Sequence, residues 1–543
     1  MSKPPALHGT TALPVILVHP PAVSKRYLPT KFLPYGMAVI YSFLKENEVP
    51  VIQNDFLMEY LFDAPEDIDY HNPGRTFSTG DFHASLRGEG IHRGLECFLE
   101  KYGGRLIRPA GIVCFSIVGY HQFWASLLLA AYIRRFNARS VIVFGGPYIT
   151  IKPPEAFTRY GTADYWVKGS GELPLLMLYR LHRGTGNIRR EKIPGIIYSE
   201  DGNLVVNPPS RMPAEQESQP DFEGLDLDRY RYDHHIAGKG ALFLPYRLSK
   251  GCPSRCTFCT GRLVDRYDCK SIEKVTAELK DLSRKYGTSH FMFADASING
   301  NPKLLSQICE RLRKELPSIR WYAYARVNGF SRELLNEVRR AGCFSLFWGV
   351  ESNSQSTVDL LGKRFRIEKM HAVIEAAEAL GIKSYIHLMY NTPHETMEDV
   401  ARLIRFVEHH IRSDRVVLLP QRFLLEPQSL MFERPGDYGL ANLKRVETSP
   451  FERDEFTFEE SGGAGREAIA TRNRKHRRML AGHLESIRCR NLLNDCPNLL
   501  LRRLPAQFLL FTGKHAQRSK ALRIIHTLLM GSLRGKLNLR EQL

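Results

Sequence analysis

The chain has 543 residues, 43% of them hydrophobic and 25% charged, a globular composition long enough for several domains and unlike a disordered polymer. It contains no run of about 18 apolar residues, and the opening MSKPPALHGT lacks the apolar core of a secretory signal, so a membrane-spanning or secreted protein is not expected and a cytoplasmic one is. The net charge of +18 is uneven: Arg466–Leu543 holds 17 Lys/Arg against 4 Asp/Glu, which leaves only +5 for the other 465 residues.

The N-terminal third alternates short apolar runs with helical spacing. Leu13–Val18, Val51–Asn54, Gly111–Ser116, Ser140–Phe144 and Ala163–Val167 read as strands, with helices predicted at Tyr35–Asn47 and Phe123–Phe136. This rhythm predicts an α/β, doubly wound, Rossmann-like parallel sheet over residues 1–207. Ligands of such sheets bind at the carboxyl ends of the strands. Here those ends carry Ser116, Gly145-Gly146-Pro147 and Gly169-Ser170-Gly171-Glu172. Residues 208–240, with Pro208, Pro209, Pro213 and Pro220 among polar residues, read as a linker.

A second alternating region spans 241–432. Strands are predicted at Phe243–Leu248, His290–Ala294, Trp321–Ala325, Ser345–Gly349, Ser384–Met389 and Val416–Leu419. The helices between them are Ile272–Tyr286, Pro302–Leu316, Ser331–Ala341 and Ile367–Leu380. Six such repeats predict a partial (β/α)6 barrel with its catalytic residues at the carboxyl ends of the strands. Residues 433–543 are expected to be a mainly helical region. Ser461–Gly465 reads as a flexible hinge, and Leu499–Leu501, Phe508–Phe511 and Ile524–Leu529 as parts of amphipathic helices on the barrel.

Ten cysteines are too few for a disulfide scaffold, and three of them crowd into eight positions directly after a predicted strand: Cys252-Pro-Ser-Arg-Cys256-Thr-Phe-Cys259. Three thiolates at this spacing suit three corners of a cuboidal [4Fe–4S] cluster, whose fourth iron stays open. A structural zinc site wants four closed ligands, and Cys269 would be its available fourth.

The segment LPYRLSKGCPSRCTFC resembles the first strand and cluster loop of radical S-adenosylmethionine (SAM) enzymes, in particular the group with an N-terminal cobalamin domain. His290–Asp295, Trp321–Val327 and Gly342–Ser352, ending in GVES, resemble the following three strands. LVHPP, LPYG, the GGP turn, GSGE, IPGIIY and NPP resemble the N-terminal domain, so the likeness covers about residues 13–435. It implies that Cys252, Cys256 and Cys259 ligate the cluster and that SAM chelates the open iron. Phe258 would lie by the adenine and Glu351 by the ribose or methionine. Arg326 would pair with the methionine carboxylate, and Asp295 would hydrogen-bond nearby; an ordinary ion pair at the barrel rim is the plainer reading of those two. Cobalamin would lie against Ser116, Tyr120, His121, Gly145, Gly146, Pro147, Gly169 and Glu172. The sequence departs from the family in Asn391-Thr-Pro-His394-Glu395-Thr396, where a Gly-x-Pro-Gly-Glu-Thr run is usual. Asn391 and His394 either shape a particular pocket or, for His394, form a plain surface position. Lys250 replaces a common arginine. Asp69-Tyr-His71-Asn-Pro-Gly74 has the pattern of cobalamin proteins whose histidine replaces the lower axial base, but it follows the second predicted strand and not the first.

The activity implied is cobalamin-dependent radical SAM methylation of an unactivated carbon in a natural product, peptide or lipid. Cyclisation or rearrangement without methylation is the alternative. A non-catalytic sensor with a basic tail is a further one. Transfer-RNA methylthiolation would want three more N-terminal cysteines, and only Cys97 and Cys114 are present. The expected partners are a small-molecule or peptide substrate, anionic or carrier-bound, and an external electron donor of flavodoxin or ferredoxin type. The basic tail reads as a helical cap, as a site for an anionic substrate, or as a peripheral membrane contact. No nucleic-acid module is evident.

Overall fold

In the computed structural model the chain divides into two compact units, one built mainly on residues up to Arg229 and the other mainly on Tyr230 onward. The described residues are 14–494 apart from 26–30, 65, 73, 90–91, 108–110, 235–237, 412 and 447–454. The three predicted tail segments from Leu499 onward lie outside them.

The first unit holds a seven-stranded sheet of β1 (Val15–His19), β2 (Val51–Asp55), β3 (Ile112–Ser116), β4 (Val141–Gly145), β5 (Tyr165–Val167), β6 (Ile196–Glu200) and β7 (Asn203–Val206), in the order β2-β1-β3-β4-β5-β6-β7. The first five strands are parallel. Strands β1, β3 and β4 are apolar up to their last residues, His19, Ser116 and Gly145, because helices cover both their faces. Phe123, Leu127 and Leu128 pack on one face and Met37, Leu44 and Leu175 on the other. The βα rhythm breaks at β6 and β7, an antiparallel hairpin added to the sheet edge. Asp201 and Gly202, both at positive φ, make its two-residue turn, and Asp-Gly between apolar runs is the local signal for it.

Residues 208–229, read as linker, pack on this first unit. Asp221 donates its N–H to Ala38, Gln53 Nε2 donates to the Asp221 carbonyl, and Tyr35 donates to Glu217.

The second unit starts with a short hairpin, β8 (Tyr232–His234) and β9 (Gly238–Ala241). Its main sheet consists of β10 (Leu244–Tyr246), β13 (His290–Phe293), β14 (Arg320–Ala325), β15 (Cys343–Glu351), β16 (Lys383–Tyr390) and β17 (Val416–Arg422). All six are parallel and neighbours in chain order, the arrangement of a partial barrel. Between β10 and β13 lies a two-residue pairing of β11 (Ser249–Lys250) with β12 (Asp268–Cys269). Ser271, Asn301, Ser331 and Thr396 each accept a backbone N–H at the start of the helix that follows, a cap that contributes about 1 kcal/mol. Strand alternation sends Trp321, Ala323, Leu346 and Trp348 into the buried layer. Tyr322, Tyr324, Phe347, Tyr385 and His387 share the opposite face. There Phe347 stacks on Tyr385 at 4.3 Å, and Tyr324 lies over His387 at 6.0 Å. Tyr322 is buried and Tyr324 is 40% exposed, so that aromatic face is open at Tyr324.

A last hairpin, β18 (Leu440–Arg445) and β19 (Phe456–Glu460), precedes the helix Arg466–Asn494. Ser461–Gly465, expected to be a hinge, is a hydrogen-bonded turn: Ser461 N–H donates to Gly439 and Glu460 N–H to Ala464. The helix buries Ile469, His476, Leu480 and Ile487 along one face and exposes Arg474, Lys475, Arg477 and Arg478.

Candidate active site

Pairing of Ser249 with Cys269 and of Lys250 with Asp268 pinches off a loop at the carboxyl end of β10. Gly251 enters it at φ 64°. Cys252, Cys256 and Cys259 all sit on this loop. Cys252 and Cys256 are half-buried, and Cys259 reaches the surface. The Cys259 sulfur accepts the Gly261 N–H at 3.2 Å. Desolvation first, and then the Cys256 and Cys252 sulfurs, hold the Cys259 thiol above its ordinary pKa, so the three sulfurs share one neighbourhood. Among the described residues no three His, Cys, Asp or Glu converge on a single-ion position. Three thiols that each hold a different iron of a cuboidal cluster need not converge, and this donor set fits such a group. The Cys269 thiol is engaged by the Tyr267 hydroxyl.

The base of the loop is clamped by Asp295, just past β13. Its Oδ1 accepts the Ser249 N–H at 2.7 Å and the Ser249 hydroxyl at 2.5 Å, and its Oδ2 accepts the Leu248 N–H at 3.0 Å. The carboxyl is 1% exposed, and desolvation outweighs these bonds, so its pKa is pushed up to about 6. A carboxyl raised in the folded state stabilises at low pH, and that contribution is lost as pH rises through the folded value. Asp295→Asn removes the titration. Its deficit relative to wild type is expected to grow by roughly 2.5 kcal/mol as pH falls from about 7 to 4. Urea unfolding of both proteins across that range, read by exchange of amides in β10 and β13, checks this; a constant difference would contradict it.

Opposite the loop, residues 360–363 lie against it. Thr257 donates its N–H to Leu361 at 3.1 Å and its hydroxyl to Leu360 at 2.8 Å. Gly362, at φ 66°, comes so close that a Cβ there would meet the Arg255 carbonyl at 3.1 Å. This contact buries Lys363, a residue the sequence reading missed. Its Nζ is 3.0 Å from Glu351 Oε1 and 5.7 Å from the centre of the Phe258 ring. Burial pulls its pKa down, but Glu351 and the Cys256 sulfur outweigh burial and hold it above the usual lysine value. Arg326 reaches the Lys363 carbonyl at 3.4 Å, and its backbone is fixed by Asn299. His387 is close enough to feel Glu351 and Lys363, while desolvation lowers its pKa. Thus Phe258, Arg326, Glu351 and Lys363 converge beside Cys256, whereas Asp295 engages the loop from beneath.

The turn after β16 keeps the backbone of the glycines it lacks: Asn391 has φ 60° and His394 φ 57°. For residues with a Cβ this conformation costs on the order of 1 kcal/mol each and has to be held by surroundings. His394 is no isolated surface side chain. Its Nε2 donates to the Tyr438 carbonyl at 2.9 Å, and Glu460 accepts its N–H at 2.9 Å.

In the first unit Ser116, Tyr120, Gly145, Gly146, Pro147, Gly169 and Glu172 all lie at the carboxyl ends of β3, β4 and β5. Gly146 has φ 100°, and a Cβ there would fall 2.5 Å from the Ile117 carbonyl; at Gly169 one would fall 2.1 Å from the Ser210 carbonyl. By contrast a Cβ on Gly119 meets nothing within 4 Å. The edge is therefore tightly turned yet open outward, which fits a large flat group. The Tyr120 ring lies tilted against that of His121 with centroids 4.0 Å apart, and the His121 ring meets that of His71 at 5.6 Å. The Asp69–Gly74 segment lies on the residues following β1: Tyr70 N–H donates to Val23, and His71 Nδ1 is 2.6 Å from Ser24 Oγ. Asp69 accepts the backbone N–H of His71. So this loop reaches the end of β1 in space, although its place in the chain is after β2.

Residues 246–407 match the family described as the Radical SAM superfamily. An uncharacterised methyltransferase of Pyrococcus horikoshii is 26% identical over 402 residues, 73% of this chain and 77% of that protein. An anaerobic magnesium-protoporphyrin IX monomethyl ester cyclase of Synechocystis is 26% identical over 239 residues, and the chain spans only 46% of that protein's length. Among solved structures, the radical SAM methyltransferase TsrM of Kitasatospora setae, with cobalamin and a [4Fe–4S] cluster bound, superposes with a TM-score of 0.60 at 17% identity, over 87% of this chain and 89% of that one. Residues 246–407 are therefore a radical SAM domain, carried by a chain with the fold of the cobalamin-binding radical SAM enzymes.

Proposed function

We propose that the protein is a cobalamin-dependent radical SAM methyltransferase acting on an unactivated carbon of a small-molecule, peptide or lipid substrate. The observation that carries this reading is the three-thiol loop at a barrel strand end, held by Asp295 beneath and met by the Lys363–Glu351 pair above. The methyltransferase relative that shares most of its length with the chain supports it. Cys252, Cys256 and Cys259 would hold the cluster. Lys363, Arg326 and Glu351 offer two cations and a carboxylate to the amino-acid end of SAM, and Phe258 offers a face to its adenine. Ser116, Tyr120, Gly145, Gly146, Pro147, Gly169 and Glu172 would receive cobalamin. When bound, these groups would supply single electrons and a transferable methyl group. The chain's own part is to orient the reactants and exclude water, with Tyr324, Phe347, Tyr385 and His387 lining the barrel face on which the acceptor would lie.

An external one-electron donor would drive turnover, and the basic face of the C-terminal region offers a contact for an anionic substrate or carrier. No described helix is long and apolar enough to cross a membrane. The test is anaerobic reconstitution with iron, sulfide, cobalamin and SAM, followed by mass spectrometry against cell extracts. A gain of about 14 Da per turnover is expected. Formation of 5′-deoxyadenosine with an acceptor that gains no such mass would favour cyclisation or rearrangement instead.

A further inference from the structure

A second buried pair joins the C-terminal helix to the turn after β16. His476 Nδ1 lies 2.8 Å from Glu395 Oε2, with His476 0% and Glu395 5% exposed. The same carboxylate oxygen accepts the Asn391 N–H at 3.0 Å. One helical turn before His476, Arg472 makes two bonds to Glu460, at 2.7 and 2.8 Å. Glu460 in turn accepts the His394 N–H. Asn391 and His394 are the two residues of this turn that take positive φ without being glycine. Each therefore has its backbone N–H captured by a carboxylate, and the helix holds both carboxylates.

We propose that the helix Arg466–Asn494 is a positioning element for the catalytic end of the barrel. His476 acts through Glu395, and Arg472 through Glu460, to set the left-handed backbone of the Asn391–Thr396 turn. Glycine adopts that conformation without help, whereas Asn and His need it imposed. The basic helix is in this sense the counterpart of the two missing glycines. The turn lies at the carboxyl end of a barrel strand, where its placement governs what the site can bind. The functional consequence rests on the reading of the barrel as the catalytic unit; the mechanical part does not.

The experiment uses the full-length reconstituted protein and reads two quantities. The first is amide exchange over residues 391–396, and the second is the rate of 5′-deoxyadenosine formation from SAM under reduction. His476→Ala and Arg472→Ala are each expected to speed exchange by tenfold or more and to slow the reaction by about tenfold, at unchanged iron content. Adding Asn391→Gly to the first variant, and His394→Gly to the second, is expected to restore the rate to within about threefold of wild type, because glycine removes the need for the helix. Unaltered exchange in both single variants would overturn the proposal. So would a lost rate that the glycines do not rescue, since the helix would then be only a structural cap. If the wild-type protein forms no 5′-deoxyadenosine while the exchange effect is present, the functional reading fails and the mechanical coupling stands.

Discussion

Replacing Cys252, Cys256 or Cys259 singly by alanine is expected to reduce bound iron from about four atoms per chain to near zero after anaerobic reconstitution, with activity falling below detection. The reason is local. All three thiols sit on one loop pinned at both ends by the β11–β12 pairing, so each substitution removes one of the three sulfurs that this loop presents. Cys269 is the sole further cysteine on that pairing, and Tyr267 already engages it. Cys269→Ser is therefore the informative companion. It is expected to retain the iron and the broad visible absorption of the cluster. Loss of metal from this variant as complete as from Cys256→Ala would instead indicate a closed, four-ligand site of structural type.

Lys363→Met is expected to destabilise the second unit by about 3–5 kcal/mol, because it leaves the Glu351 carboxylate buried without its partner. It also removes the cation over Phe258 and one of the positive charges beside Cys256. Adding Glu351→Gln to Lys363→Met is expected to recover a good part of the loss, since the uncompensated charge then disappears. Denaturant unfolding followed by exchange of amides in β15 and β16 reads this in the relevant unit and avoids a single global transition for a two-unit chain. A cost under about 1 kcal/mol for Lys363→Met would show that Glu351 is balanced from elsewhere, and its pairing with Lys363 would then carry little of the site's rigidity.

The parts of this protein that were legible in its sequence are those encoded by short-range pattern. The β1, β3 and β4 runs are apolar up to their last residue because both sheet faces are covered, and the barrel strands recur between amphipathic helices whose capping residues stand one position ahead. The cysteine loop is legible for the same reason, since eight consecutive residues carry the whole donor set. The β6–β7 hairpin was legible in principle from Asp201-Gly202, but the preceding parallel rhythm masks it.

What the sequence by itself determined is thus the order of the parallel strands, the cluster loop, and the fact that Asn391 and His394 stand where a turn wants glycine. The tertiary structure decided the rest. Lys363 is an ordinary charged residue in sequence; it becomes buried only because Gly362 packs against Arg255 and Thr257, about a hundred residues earlier. Asp295 reads as a strand-end carboxylate, and its role as the clamp of Ser249 depends on β10 and β13 being neighbours. The two left-handed residues are held by Glu395, Glu460, Arg472 and His476, partners up to 81 positions apart. Burial and hydrogen bonding are properties of what surrounds a side chain, and a sequence pattern reports that surrounding only when it lies within a few residues along the chain.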